Sequence, residues 1–277
     1  MQGKVANRNF PVLAYHKVDQ KLELGVTSIS PRRFEKQISF LKDEGYTSLK
    51  IQDIVGYYSN SDLSVSENPL LSTRKPILIT FDDGYAGVYK YAYPILHKYD
   101  FTATIFITTG YVGKNNIWDK SPGPRFKHLN WFQIKDMFAN GICFGSHGVN
   151  HKFFTTQDHQ SLEYELKASK HELEDKLGET IFSLSYPYGC YNDKVIDLTR
   201  TMEYKIGFCL RPELLNFGFK YPYSLPRIAV YSLDNMQAFR AKVGDLHPGL
   251  LPYRQKIKNL LINRCAYASL LVSWLKP

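Results

Sequence analysis

The chain lacks several features that would fix its class at once. None of its four cysteines, Cys143, Cys190, Cys209 and Cys265, stands in a C-x-x-C pair, so a cysteine-based zinc site is not indicated. Four cysteines in 277 residues also do not make a disulfide framework, and buried thiols are expected. No G-x-G-x-x-G follows any strand-like run, which argues against a dinucleotide-binding sheet. No internal repeat stands out. The formal net charge is +9, yet no run of five or more basic residues occurs. With no nucleic-acid motif beside that charge, nucleic-acid binding is not expected.

The first ten residues are polar and carry no apolar h-region, so no secretory signal peptide is expected in the chain as written. Export of a trimmed form and retention inside the cell both stay open. The apolar stretch 265–275 is too short to cross a bilayer. It reads as a terminal helix packed on the domain, with peripheral membrane or cell-surface contact as the alternative. Hydrophobic residues make up 44% of the chain, enough for a substantial core. The 20 tyrosines combine a flat apolar face with a hydroxyl, which suits sugar-binding clefts as well as an ordinary mixed surface. The sequence does not fix the oligomeric state.

What recurs along the chain is strand, loop, helix. Strand-like runs are expected at 11–15, 76–81, 103–108, 142–145, 181–186, 205–210 and 225–230. Helices are expected at 32–44, 51–58, 88–99, 131–139, 162–177 and from Asn192 to about residue 202. Ser30-Pro31 supplies an N-cap and a first-turn proline, and Phe34, Ile38 and Leu41 follow at helical spacing. Residues 60–75 read as a polar surface loop. The run 76–81 is continuously apolar, as in a parallel-sheet strand buried on both faces. About seven alternating units predict an α/β fold with a parallel sheet, closed into a barrel more readily than left open. A single domain spanning 1–277 is expected, with its core at about 11–230 and a C-terminal helical extension.

Four short stretches carry candidate chemistry, and each follows a predicted strand. Thr80-Phe81-Asp82-Asp83-Gly84 places two carboxylates at a strand's C-terminal end, where parallel α/β proteins build active sites. Adjacent carboxylates both ionise only beside a cation or a basic group. Alone, however, the stretch also fits a solvated turn. Ser146-His147-Gly148-Val149-Asn150-His151 places two histidines four apart, a spacing that can share one metal but also fits two independent histidines. Ser185-Tyr186-Pro187-Tyr188-Gly189 is a tight turn that can aim a backbone N–H at a developing oxyanion. His16 ends the first strand in Leu13-Ala14-Tyr15-His16, where a structural histidine would be unremarkable.

Taken in order, T-F-D-D-G, S-H-x-x-x-H and P-Y-G resemble the NodB-type polysaccharide deacetylases, carbohydrate esterase family 4. The entry P-V-L-A-Y-H and the stretch from Asn130-Trp131 to Gly145-Ser146-His147 resemble the branch that de-N-acetylates poly-β-1,6-N-acetylglucosamine in biofilms. The resemblance implies a distorted (β/α)7 barrel and a metal-dependent hydrolase that removes N-acetyl groups from N-acetylated sugars. It implies Asp82 as general base, with Asp83, His147 and His151 as metal ligands. Tyr188 would lend its backbone N–H to the oxyanion. The metal would be a divalent ion, zinc first, with nickel, cobalt and iron open. The partner would be an N-acetylated glycan. Family members usually work outside the cytoplasm or at the cell surface.

Three departures from the family pattern shape further expectations. The residue after the first histidine is Gly148 where the family usually has Ser or Thr, so a loop-steadying hydroxyl is absent. No arginine stands just upstream of Pro187, and Arg227 is expected to pair with Asp82 instead. The late acid histidine is missing, since His247 lies in a Pro-Gly loop, so His16 is expected to act as general acid. His97, His128, His159 and His171 lie on helices or in polar stretches and receive no role. A catalytically inactive carbohydrate-binding module on the same fold is the competing reading. It would have lost a ligand or the base, and this sequence keeps both.

Overall fold

The computed structural model describes residues 10–21, 25–59, 72–117, 124–210 and 221–244. Most of the loop 60–75, His247, Cys265 and the stretch 265–275 lie outside the described residues. The strands in chain order are β1 (Val12–Tyr15), β2 (Lys17–Val18), β3 (Ser28–Ile29), β4 (Thr47–Ser48), β5 (Pro76–Phe81), β6 (Thr104–Ile107), β7 (Cys143–Ser146), β8 (Ser183–Ser185), β9 (Ile206–Cys209), β10 (Leu225–Pro226) and β11 (Ile228–Ala229). All pairings within the large sheet are parallel, in the order β10-β9-β8-β7-β6-β5-β1-β11.

The two ends of that order are neighbours in the chain. β10 pairs with β9, β11 pairs with β1, and Arg227 alone separates them. One extended segment therefore joins the last full strand to the first. The sheet becomes a nearly closed barrel with seven strand positions, as expected.

Helices cover the barrel's outside. Ser30 caps the helix Pro31–Asp43 by accepting from the Arg33 N–H, and Phe34, Ile38 and Leu41 are buried beneath it. Asn130 and Gln133 form a reciprocal capping box on the helix Trp131–Ala139. The helix His159–Leu177 starts at Asp158 and stops at Gly178, which adopts the left-handed conformation at φ 72°. The expected helix 88–99 is modified. Its first turn, Val88–Ala92, is a π-turn in which the Tyr93 N–H reaches the Val88 carbonyl, before the helix Tyr93–Lys98. Pro94 brings no N–H to the ladder here, and the widened turn accommodates it.

Strand side chains alternate between two faces, and two apolar clusters record that alternation. Leu13, Tyr15, Ile77, Ile79, Phe81, Ile105 and Ile107 belong to the large cluster packed with the helices. Val12, Leu78, Phe106, Ile206, Phe208 and Leu225 belong to a smaller cluster with Leu49, Ile51 and Ile54. The second set fills the barrel's interior. Continuing its parity two residues at a time toward the strands' C-terminal ends gives Ala14 and His16 on β1, then Thr80 and Asp82 on β5. On β7 it gives Gly145 and His147. Gly145 is needed for close packing, since an added Cβ would lie 2.6 Å from the Phe106 ring and 2.5 Å from Ser183 Oγ. The barrel is apolar at its lower end and polar at its mouth.

Candidate active site

Asp82 and Asp83 follow β5, and both are buried at 1% and 5% exposure. The parity that sends Asp82 inward brings it to Arg227. The guanidinium donates from Nη1 to Asp82 Oδ1 and from Nη2 to Asp82 Oδ2, each at 2.7 Å. It also donates to Thr80 Oγ1 at 3.1 Å and Ser185 Oγ at 2.7 Å. Arg227 is fully buried, with its guanidinium carbon 5.5 Å from the Phe106 ring centre and 5.8 Å from that of Phe208. This is the pairing expected for the displaced arginine. Burial opposes ionisation of Asp82, but the charges of Arg227 and His147 outweigh it and hold the carboxyl below its usual range.

Asp83 leaves the strand in a left-handed backbone conformation at φ 70°, uncommon for a residue with a side chain. Its Oδ1 lies 3.4 Å from His147 Nε2 and 3.1 Å from His151 Nε2. Neither contact has hydrogen-bond geometry, and this buried oxygen receives no hydrogen bond. One ligand atom from each of the three residues lies within 4.8 Å of the others. The orientation of His147 is fixed from behind. Its Nδ1 sits 2.7 Å from the Ser185 carbonyl. A carbonyl only accepts, so Nδ1 carries the hydrogen and Nε2 is left to face Asp83.

An orphaned carboxylate oxygen, two imidazole nitrogens converging on it and a carbonyl that fixes one ring's tautomer all fit a divalent cation. The donor set of two histidines and one carboxylate suits zinc and other first-row metals. Burial opposes ionisation of Asp83, but His151 and His147 hold its carboxyl well below the usual value. Burial alone would lower the pKa of His147, but the charge of Asp82 and the contacts with Asp83 raise it.

The loop carrying the two histidines is clamped by a residue the sequence did not single out. Glu165, 1% exposed on the helix His159–Leu177, accepts from the Val149 N–H at 2.7 Å and the Asn150 N–H at 2.8 Å. Its other oxygen accepts from the Asn150 side-chain amide at 2.8 Å. Gly148 has φ 76°, and a Cβ there would lie 3.0 Å from Glu165 Oε2 and 3.0 Å from the Phe154 ring. The missing hydroxyl at position 148 is thus answered by a carboxylate from the flanking helix and by Ser146 Oγ, which accepts from the Gly148 N–H at 3.1 Å. The spacing of Leu162, Leu166, Ser169 and Leu173 already places Glu165 on the helix's buried stripe.

Two further candidates stand around this centre. Tyr188 lies in the turn Pro187–Gly189 with φ 59°. Its ring stacks on Phe153 at 3.7 Å and meets the His151 ring edge-on at 4.6 Å, so the turn and the loop after β7 pack as one layer. His16 is half-buried at the end of β1. Burial lowers its pKa, opposed by the charges of Asp83 and Asp82, which places it within electrostatic reach of both. His97, His159 and His171 are exposed on the outside, as expected of histidines without a role. His128 departs from expectation. It is only 2% exposed, and its Nδ1 lies 2.8 Å from the Asp83 carbonyl.

Comparison with known proteins agrees with this arrangement. Residues 72–207, which carry the aspartate pair, His147, His151 and the Pro-Tyr-Gly turn, match the family model described as polysaccharide deacetylase. The chain is 29% identical over 236 residues to YxkH of Bacillus subtilis, named as a polysaccharide deacetylase, covering 85% of this chain and 76% of the relative. It is 26% identical over 215 residues to a poly-β-1,6-N-acetyl-D-glucosamine N-deacetylase of Staphylococcus aureus, covering 73% and 68%. The solved structure of the Streptococcus pyogenes deacetylase PplD in complex with acetate superposes with a TM-score of 0.69 at 26% identity, covering 86% of this chain and 99% of that one. Across the site and the fold, the chain is similar to polysaccharide deacetylases.

Proposed function

We propose that this protein is a metal-dependent de-N-acetylase acting on a glycan of N-acetylated sugars, with poly-N-acetylglucosamine as the first candidate. The observation that carries the reading is the meeting of the Asp83, His147 and His151 ligand atoms within 4.8 Å, beside an aspartate held ionised by Arg227. The substrate class follows the Staphylococcus aureus relative, whose name specifies poly-β-1,6-N-acetyl-D-glucosamine. Asp83, His147 and His151 would hold the metal, and zinc suits them first. A divalent cation in that position supplies Lewis acidity, polarising a carbonyl and lowering the pKa of water.

The chain's own residues carry the proton traffic. Asp82, ionised and oriented by two parallel hydrogen bonds, takes a proton from the attacking water. Arg227 fixes that carboxylate without touching the substrate. The Tyr188 backbone N–H steadies the negative oxygen of the tetrahedral intermediate. His16 delivers a proton to the leaving nitrogen, since an amine anion is a very poor leaving group. The carbon–nitrogen bond then breaks, and the products are acetate and a free amino sugar.

The test is acetate release from poly-N-acetylglucosamine by the full chain, with and without a chelator. The reading predicts release that stops on metal removal and returns with added zinc. A protein that binds the glycan and releases no acetate with any of zinc, cobalt, nickel or iron would instead be a sugar-binding module.

A further inference from the structure

Among the described residues, one fully buried histidine takes no part in the ligand set. His128 is 2% exposed, and its Nδ1 lies 2.8 Å from the backbone carbonyl of Asp83. Because that oxygen can only accept, Nδ1 must carry the hydrogen. The ring stacks on Tyr85 at 4.7 Å with planes 29° apart and meets Tyr111 at 5.7 Å, so it has little freedom to turn away.

The partner of this bond is under backbone strain. Asp83 has φ 70°, a left-handed conformation that disfavours a residue bearing a side chain. Such a conformation persists only where its surroundings impose it. Here a short antiparallel strip does so. The Leu129 N–H donates to the Gly84 carbonyl and the Ala86 N–H to the Lys127 carbonyl, both at 2.8 Å, with Tyr85 and His128 bridged between them. The backbone ladder stops at Gly84. The next carbonyl, that of Asp83, is held by the His128 side chain, which extends the strip by one residue to the point of strain.

We propose that His128 is a positioning residue for the metal site: its Nδ1–H holds the Asp83 carbonyl and thereby the left-handed turn that aims the Asp83 carboxylate at His147 and His151. The metal part of this proposal rests on the reading of Asp83 as a ligand. His128 itself touches neither metal nor substrate.

Two measurements on the full chain test it. In metal-free, nitrogen-15-labelled protein, long-range proton–nitrogen spectra should show His128 protonated at Nδ1. A ring protonated only at Nε2 would overturn the proposal, and this reading needs neither a variant nor a metal. Zinc affinity is then compared by chelator competition in two variants. His128→Asn keeps an N–H donor the same number of bonds from Cα as Nδ1, whereas His128→Phe keeps the stacked ring and loses the donor. The expected result is affinity close to the parent for His128→Asn and about 10–100-fold weaker for His128→Phe, typical of losing an outer-shell partner. Equal affinity in parent and His128→Phe would overturn the proposal. So would a His128→Asn variant as weak as His128→Phe, because ring packing would then be the cause. A parent that binds no zinc would sink the ligand reading alone, with the tautomer still deciding whether His128 holds Asp83.

Discussion

Asp82 and Asp83 are the same residue, adjacent in the chain and both buried, yet their surroundings are opposite. Asp82 has both oxygens engaged by one guanidinium. Asp83 has a buried oxygen that receives no hydrogen bond and faces two imidazole nitrogens. The difference comes from one step of backbone geometry. Asp82 continues the inward parity of β5 and enters the barrel, where Arg227 closes the gap between β10 and β11. Asp83 turns out of that parity at φ 70° and faces the loop after β7. A satisfied carboxylate is suited to hold one orientation and exchange a proton. An unsatisfied one beside two imidazoles is suited to a cation.

The comparison can be broken on either side, and the largest effect is expected where a proton is supplied. His16→Ala should lower kcat by about 10²–10⁴ with the metal still bound. Burial lowers the His16 pKa, and the acid form is the one the reaction needs. Activity in kcat/KM should therefore fall as pH rises through a point on the acid side of 6.5, and that limb should vanish in the variant. Activity within a few-fold of the parent would return His16 to a structural role.

On the Asp82 side, Arg227→Met should cost about 3–5 kcal/mol of stability, since it leaves a buried carboxylate without its partner. Chemical denaturation of the metal-free protein measures this directly. The pH dependence has a definite sign. The folded pKa of Asp82 lies below its ordinary value, so its contribution is complete above about pH 4 and is lost as pH falls through the folded value. Arg227→Met should flatten that acid limb, and an unchanged limb would mean the pair is not what holds Asp82 ionised.

On the Asp83 side, Glu165→Ala should cost about 1–3 kcal/mol, because the Val149 and Asn150 N–H groups lose their acceptor. It should also weaken zinc binding, while Glu165→Gln, which keeps a carbonyl oxygen for those N–H groups, should recover most of both. Equal loss in the two variants would show that the charge, not the clamp, is what matters.

How much of this could be read from the sequence follows from distance along the chain. The strand ends were legible because each candidate stretch follows an apolar run within a few residues. The pair His147 and His151 was legible as a candidate because the two are four apart. Arg227 and Asp82 are 145 residues apart, and only closure of the barrel joins them. The pairing was anticipated from the lack of an arginine just upstream of Pro187, with Arg227 following Pro226 at the start of a late strand-like run. Glu165 was missed although its helical spacing places it on the buried stripe, because Glu among Lys, Glu and His looks solvated. His128 was missed because its neighbours Arg125, Lys127 and Asn130 read as a polar loop, and nothing local shows that the strip folds back against Asp83. The π-turn at Val88–Ala92 was missed because residues 88–99 were read as one helix without weighing Pro94, which brings no N–H to its ladder.

The division between the two aspartates is tested most directly by zinc content after dialysis of Asp82→Asn and Asp83→Asn, measured beside acetate release. The account predicts that neither variant releases acetate at a significant rate, but that Asp82→Asn retains close to one zinc per chain and Asp83→Asn retains little. Equal zinc loss in the two variants, or retention only in Asp83→Asn, would contradict it.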